Sequence, residues 1–207
     1  MKLVIIDFEA TCWDSNGLRP LNWVDHQEII EFGCVLADEK FVSEGELCAI
    51  VTPIFNPQLT EFCTSLTSID QGMIDTMGVP FVQANTALSD LVEDDDIFCS
   101  WGNFDDNLLR SNCNMHKVEY PFKNGHVNLK TMIGRLMHDC DQPWRKQGVG
   151  LIKACTALDI GFEGTLHRGI DDARNILRVL VESQKIIGDL VTLIDEIREL
   201  SKKNKRS

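Results

Sequence analysis

The stretch LVIIDFEA, residues 3–10, constrains the fold of this chain more than any other. Leu3, Val4, Ile5 and Ile6 leave no polar face, so a strand built from them must be covered on both sides, as the central strand of an α/β sheet is. The strand then ends in acids. Side chains alternate across a strand, so Asp7 and Glu9 share one face while Phe8 points to the other. A carboxylate held against such a core is costly unless something compensates it.

The rest of the chain supplies the sheet around this strand. EIIEFGCVLAD (28–38) and ELCAIVTP (46–53) read as two further strands joined by the turn-like ADEK, which predicts an antiparallel meander. Pro80 is placed to open a helix running to about Val92, the acidic EDDD is a loop, and IFCSW (97–101) is a short strand. Strands and helices then alternate: a helix from Phe104 to about Asn114, a short strand near Val127, and helices over 129–138, 150–158 and 171–184. The expected fold is α/β, a mixed five-stranded sheet of a meander followed by parallel strands, flanked by helices. Residues 186–200 carry Ile187, Leu190, Val191, Ile194, Ile197 and Leu200 at helical spacing and run into the basic KKNKR. They are expected to dock on the core as part of the same domain as residues 1–185.

Composition narrows the chemistry. With 207 residues, 43% hydrophobic and 25% charged, a single domain with a sizeable core is expected. The eight cysteines are scattered and form no CxxC pair, which points to reduced, mostly buried thiols rather than zinc ligands or disulfides. No secretory leader pattern follows Met1, and no apolar run reaches the roughly 20 residues that span a bilayer. A cytoplasmic location without a membrane partner is the expectation. The net charge of −12 repels phosphate backbones, so a nucleic-acid partner would require clustered Lys and Arg or bound cations.

Two further stretches bring acids to positions where sites form. In SWGNFDD (100–106) Asp105 falls at a strand-to-helix junction, the usual place for ligands in such sheets. In HRGIDDA (167–173) His167 precedes Asp172 by five residues as a helical pattern begins. Asp106 and Asp171 beside them need no more than the preference of acids for a helix N-terminus. If Asp7, Glu9, Asp105 and Asp172 meet, their repulsion demands hard divalent cations, and all-oxygen ligation selects Mg²⁺ or Mn²⁺ over zinc.

DFEAT, WGNFD and HRGIDDA together resemble the three motifs of the DEDDh 3′-to-5′ exonucleases, which have an RNase H-like fold. DFEATCW, QEIIEFG, FCTSLTSI and HRGIDDARNI resemble one branch of it, the exoribonucleases related to the enhancer-of-RNAi and histone-mRNA exonucleases. This resemblance implies hydrolysis of single-stranded 3′ ends, RNA favoured over DNA, to nucleoside 5′-monophosphates by a two-metal mechanism. It implies that Asp7 touches both metals, that Glu9 and Asp172 complete the site of the nucleophilic water, and that Asp105 acts on the second metal through water. His167 would accept the proton, a task suited to imidazole with its ordinary pKa of about 6.5. The sibling group has tyrosine four residues before the last Asp, where this chain has Arg168, so the histidine subtype is favoured. The resemblance further implies that the Ala10 and Thr11 backbone approaches the terminal nucleotide while Leu66 and Trp101 hold its base, with Trp13 and Phe104 as neighbours. Arg145, Lys146, Lys153 and Arg168 are candidates for local positive charge.

Three other readings compete. IIDFEAT also resembles the DxDxT opening of haloacid-dehalogenase-type phosphatases, but Glu9 departs from that pattern and such an enzyme leaves WGNFD and His167 without a task. A DNA-preferring exonuclease would differ only in contacts to the 2′-OH, which the sequence does not place. A binding module without turnover would keep the fold, although all five expected catalytic positions are intact.

Overall fold

The computed structural model describes residues 1–14, 26–188 and 190–205, the side chains of 190–192 excepted. LVIIDFEA forms β1 (Leu3–Ala10). β2 (Ile29–Ala37) pairs antiparallel with β1, and β3 (Ser43–Thr52) antiparallel with β2, which completes the expected meander. Its second turn closes on Asp38, whose carboxylate accepts the N–H groups of Lys40 and Val42, each at 2.8 Å. β5 (Ile97–Ser100) joins the other edge of β1 in parallel, and β6 (Val127–Asn128) extends the sheet in parallel beyond it.

The sheet has six strands rather than five, because β4 (Val79–Pro80) pairs with β3 in the order β4-β3-β2-β1-β5-β6. Two residues show no alternation to read, and Pro80, which cannot donate, is tolerated at a sheet edge. Two short helices, α1 (Glu61–Thr67) and α2 (Gln71–Met77), were also not legible from periodicity. Each spans about two turns and is set by its cap: Thr60 accepts from Cys63 N and Asp70 from Met73 N.

The remaining helices follow the expected pattern. They are α3 (Phe81–Leu91), α4 (Phe104–His116), α5 (Leu129–Asp139), α6 (Leu151–Ala157), α7 (Gly169–Ile187) and α8 (Leu190–Asn204). They cover both faces of β1, as its apolar run requires. Leu3 and Ile5 pack with Met132, Ile133, Ile176, Leu180 and Ile197 from α5, α7 and α8. Val4, Ile6 and Phe8 pack on the opposite face with Phe81, Leu88, Leu108 and Leu109 from α3 and α4.

Ile187 belongs to the end of α7, and the C-terminal helix starts at Leu190, later than expected. Leu193, Ile194 and Ile197 are buried in the core, and Ser201 Oγ donates to Gly125 O at 2.9 Å. The side chains of Leu190 and Val191, and Arg206 of the basic tail, lie outside the described residues. All eight cysteines are free thiols, and Cys34, Cys63, Cys99, Cys113 and Cys155 are buried. Among the described residues no helix is long and apolar enough to cross a membrane.

Candidate metal centre

The face of β1 that begins with Leu3 and Ile5 continues as Asp7 and Glu9, directly beneath α7. Asp7, Glu9 and Asp172 each offer one carboxylate oxygen within 4.8 Å of the others. This approach depends on two glycines. Gly33 stands opposite Asp7 in the β1–β2 register, and a Cβ on it would lie 1.9 Å from the carbonyl carbon of Gly169. A Cβ on Gly169 would in turn lie 2.5 Å from the Asp7 carbonyl oxygen. The first turn of α7 therefore rests on bare backbone, and Asp172, three residues further, reaches the strand acids.

Asp105 arrives from the other face. It sits in the first turn of α4, and its Oδ1 accepts the N–H of Phe8 at 3.0 Å, between Asp7 and Glu9 in the chain. It is not one of the three that converge within 4.8 Å. Asp106, next to it, is held by Arg110 Nε at 2.9 Å and by the Tyr120 hydroxyl at 2.7 Å. Asp171 accepts from Thr165 N at 2.9 Å and from Arg174 at 3.0 Å. These two acids stabilise local structure, as expected of them.

The electrostatics of the cluster are unfavourable without a counter-charge. Burial first, then the charges of Asp105, Asp172 and Glu9, hold the Asp7 carboxyl well above the usual range. Burial and the charge of Asp172 push Glu9 to about 9. Asp172 is raised to about 7 by burial, although the N–H of His167 pulls it back, and Asp105 to about 6, although the N–H of Phe8 does the same. Asp172 Oδ2 is buried and has no hydrogen-bond partner among the described residues. An all-oxygen donor set with an orphaned carboxylate oxygen fits a hard divalent cation.

His167 is exposed beside this cluster and has a left-handed backbone, φ 57°. With Asp172 it lines a hollow of about 440 Å³ whose other walls include Leu151, Ile152, Lys153 and Leu166. Sequence reading missed Leu151, Ile152 and Leu166 as wall residues, since nothing local shows which way the expected helix α6 or the irregular segment before His167 faces; Lys153, expected as local positive charge, lines the same hollow. Of the expected substrate contacts, Thr11 is fully buried and closes the end of the β1–β2 pair: its N–H donates to Glu28 O at 2.8 Å and its Oγ1 accepts from Glu28 N at 2.9 Å. The Ala10 carbonyl already accepts from Cys63 Sγ. Leu66 is exposed on α1, whereas Trp101 is half-buried and donates to Val149 O at 2.9 Å. Trp13 and Phe104 share a separate cavity of about 290 Å³. Arg145 and Lys146 are exposed, but Arg168 is turned inward onto Glu31.

A family model described as an exonuclease, RNase T, matches residues 4–180. The probable 3′-5′ exonuclease KapD of Bacillus subtilis is 32% identical over 187 residues, covering 89% of this chain and 86% of that protein. Human 3′-5′ exoribonuclease 1 is 30% identical over 189 residues, covering 86% of this chain and 51% of its own length. The chain spans between about a quarter and two thirds of the length of the animal relatives it matches. Among solved structures, the nuclease domain of 3′hExo, a DEDDh family member bound to rAMP, superposes with a TM-score of 0.73 at 26% identity, covering 89% of this chain and 92% of that one.

Proposed function

The chain belongs to the RNase T exonuclease family, in its DEDDh group, and on that premise we propose that it is a metal-dependent 3′-to-5′ exoribonuclease acting on single-stranded 3′ ends. The observation that carries this reading is the convergence of Asp7, Glu9 and Asp172 within 4.8 Å, with the Asp172 Oδ2 left unpartnered. Names and content of the relatives favour RNA: one is an exoribonuclease, and the similar nuclease domain holds rAMP. Residues 1–185 form the exonuclease domain in this reading, with the C-terminal helix as part of it.

Asp7, Glu9 and Asp172 would hold Mg²⁺ or Mn²⁺, and Asp105 would serve a second ion. When bound, such ions supply activation of the attacking water and charge neutralisation at the leaving oxygen. The chain's own groups do the rest. His167, exposed at the rim, accepts the proton of the water as its oxygen bonds to the last phosphorus. The bond from phosphorus to O3′ of the penultimate nucleotide breaks, and the terminal nucleotide leaves as a 5′-monophosphate. Leu66 and Trp101 supply apolar and aromatic surface for the terminal base, which stacks with little regard to sequence. Local cation charge offsets the repulsion between an acidic protein and a phosphate backbone.

The test is incubation of the protein with 5′-labelled single-stranded RNA and the matching DNA in Mg²⁺, in Mn²⁺ and in EDTA. A ladder that shortens from the 3′ end only with metal, faster on RNA, is the expected result. His167→Ala is expected to reduce single-turnover rates by about 100- to 10,000-fold, the usual contribution of a general base. Unshortened RNA in every metal would sink the assignment.

A further inference from the structure

Glu31 is a fully buried carboxylate near the start of β2, opposite Glu9 in the strand register. Its charge adds to the repulsion on Asp7 and Glu9, so its presence beside the acidic cluster requires a reason. It is not available to a cation, because both oxygens are spent on other donors. Oε1 accepts from Arg168 Nη2 at 2.7 Å and from Arg168 Nε at 3.1 Å. Oε2 accepts from Arg168 Nε at 3.2 Å and from the backbone N–H of Gly169 at 2.8 Å.

These donors belong to the two residues that follow His167. His167 itself occupies the left-handed region, which a residue with a β-carbon holds only when its surroundings fix it. The turn is closed in front by Arg168 N donating to Thr165 O at 3.3 Å and by Asp171 accepting from Thr165 N at 2.9 Å. Behind, the Arg168 guanidinium grips Glu31 of β2 in a bidentate geometry that fixes direction as well as distance. The imidazole is exposed, so the backbone of this turn rather than core packing decides where it stands.

We propose that Glu31 is a positioning residue for hydrolysis: through Arg168 it holds the turn that presents His167 to the attacking water. This rests on His167 being the base. Arg168 is accordingly an internal strut and not a phosphate contact. Asp172 is seated by the close approach of Gly169 to Asp7 and Gly33 and also accepts the His167 N–H, so the His167→Ala background separates an effect of Glu31 that runs through the imidazole from one that runs through Asp172.

The experiment is a double-mutant cycle in single-turnover kinetics, with Glu31→Gln made in the wild-type and His167→Ala backgrounds. The Gln amide oxygen still accepts from Gly169 N–H, while the charged fork to Arg168 is lost. In the wild-type background the maximal rate is expected to fall about 10- to 100-fold with half-saturation unchanged, the scale of a misplacement near 1 Å. In His167→Ala the same change is expected to cost less than about 2-fold, because residues acting as one unit are not additive. Thermal melts establish that each variant is folded at the assay temperature. Arg168→Lys runs through the same cycle, since it keeps the charge and loses only the fork, and it decides the question if Glu31→Gln does not fold. Losses that multiply in the double variants, or Glu31→Gln and Arg168→Lys at the wild-type rate, would overturn the proposal. A wild-type rate in His167→Ala alone would overturn the base assignment and the strut with it.

Discussion

Replacing Gly33 by alanine tests how the strand and the helix are brought to one site. The added Cβ would lie 1.9 Å from the Gly169 carbonyl carbon, 2.2 Å from Ile170 N and 2.3 Å from Gly169 O. All three are backbone atoms, so no rotamer change relieves the clash. Carbon atoms rest about 3.5–4.0 Å apart, which requires α7 to retreat from β2 by about 1.6–2.1 Å. Asp172 travels with that turn, away from Asp7 and Glu9. Mg²⁺ demands oxygens at about 2.0–2.1 Å in near-octahedral array, so a retreat of that size removes one ligand, and a loss of activity of about 100-fold or more is expected. Overpacking costs about 1–3 kcal/mol, and a chain of this size loses about 2–4 °C in Tm per kcal/mol. Gly45→Ala is the control, because a Cβ there meets nothing within 4 Å on the neighbouring strand. The assay is the 3′-end ladder alongside a thermal melt. Gly33→Ala with the activity and Tm of Gly45→Ala would refute the claim that bare backbone contact places Asp172.

Further outcomes follow from the same geometry. Asp7→Asn is expected to reduce cleavage by orders of magnitude and to raise the Tm measured in EDTA, because it removes one charge from a cluster whose members repel; a lower metal-free Tm would contradict this. Acids whose folded pKa is raised bind protons more tightly when folded, so their contribution to stability is largest at low pH and declines as pH rises from about 4 through the folded values of about 6, 7 and 9 for Asp105, Asp172 and Glu9. Melts in EDTA are therefore expected to show Tm falling from pH 5 to pH 9, and added Mg²⁺ is expected to restore more at pH 8 than at pH 5; equal gains at both would count against cation binding by these carboxylates. Trp101→Ala is expected to raise KM by about 5- to 150-fold, the range of base stacking at 1–3 kcal/mol, and an unchanged KM would make Trp101 a core residue only.

The central strand, the meander and the run of helices were legible because each is long enough to show its period. Leu3 to Ile6 could only be covered on both sides, and they are fully buried. The alternation of a strand likewise placed Asp7 and Glu9 together without any knowledge of the partner helix. What the sequence withheld is what arises only when elements meet. Nothing local marks Gly33 as the seat of α7, since a glycine in a strand reads equally well as a bulge or a weak point. The commitment of Arg168 to Glu31 is a contact across 137 residues of chain, invisible to any local pattern and opposite in sense to a surface basic patch. β4 was too short to have a period, and α1 and α2, seven residues each, have boundaries that depend on single capping residues.

The acidity of the chain looks at first like an argument against nucleic acid, and its distribution reverses that inference. The charges that matter most are not spread over the surface but pressed together on one face of β1 and the start of α7, where burial raises Asp7, Glu9 and Asp172. A fold that holds acids in this state is destabilised by them at neutral pH, and any divalent cation that enters recovers that free energy. Cation affinity and the instability of the cation-free cluster are thus one quantity seen from two sides. The close glycine contacts let the helix come this near, and the bonds of Arg168 and Gly169 to Glu31 resist the outward relaxation that would relieve the repulsion. In the proposed exonuclease the repulsion is then converted into attraction for a phosphate at this one place, while the remaining negative surface disfavours the rest of a long polyanion. Such an arrangement favours engagement of a strand at its end rather than along its length, which is the geometry an exonuclease requires.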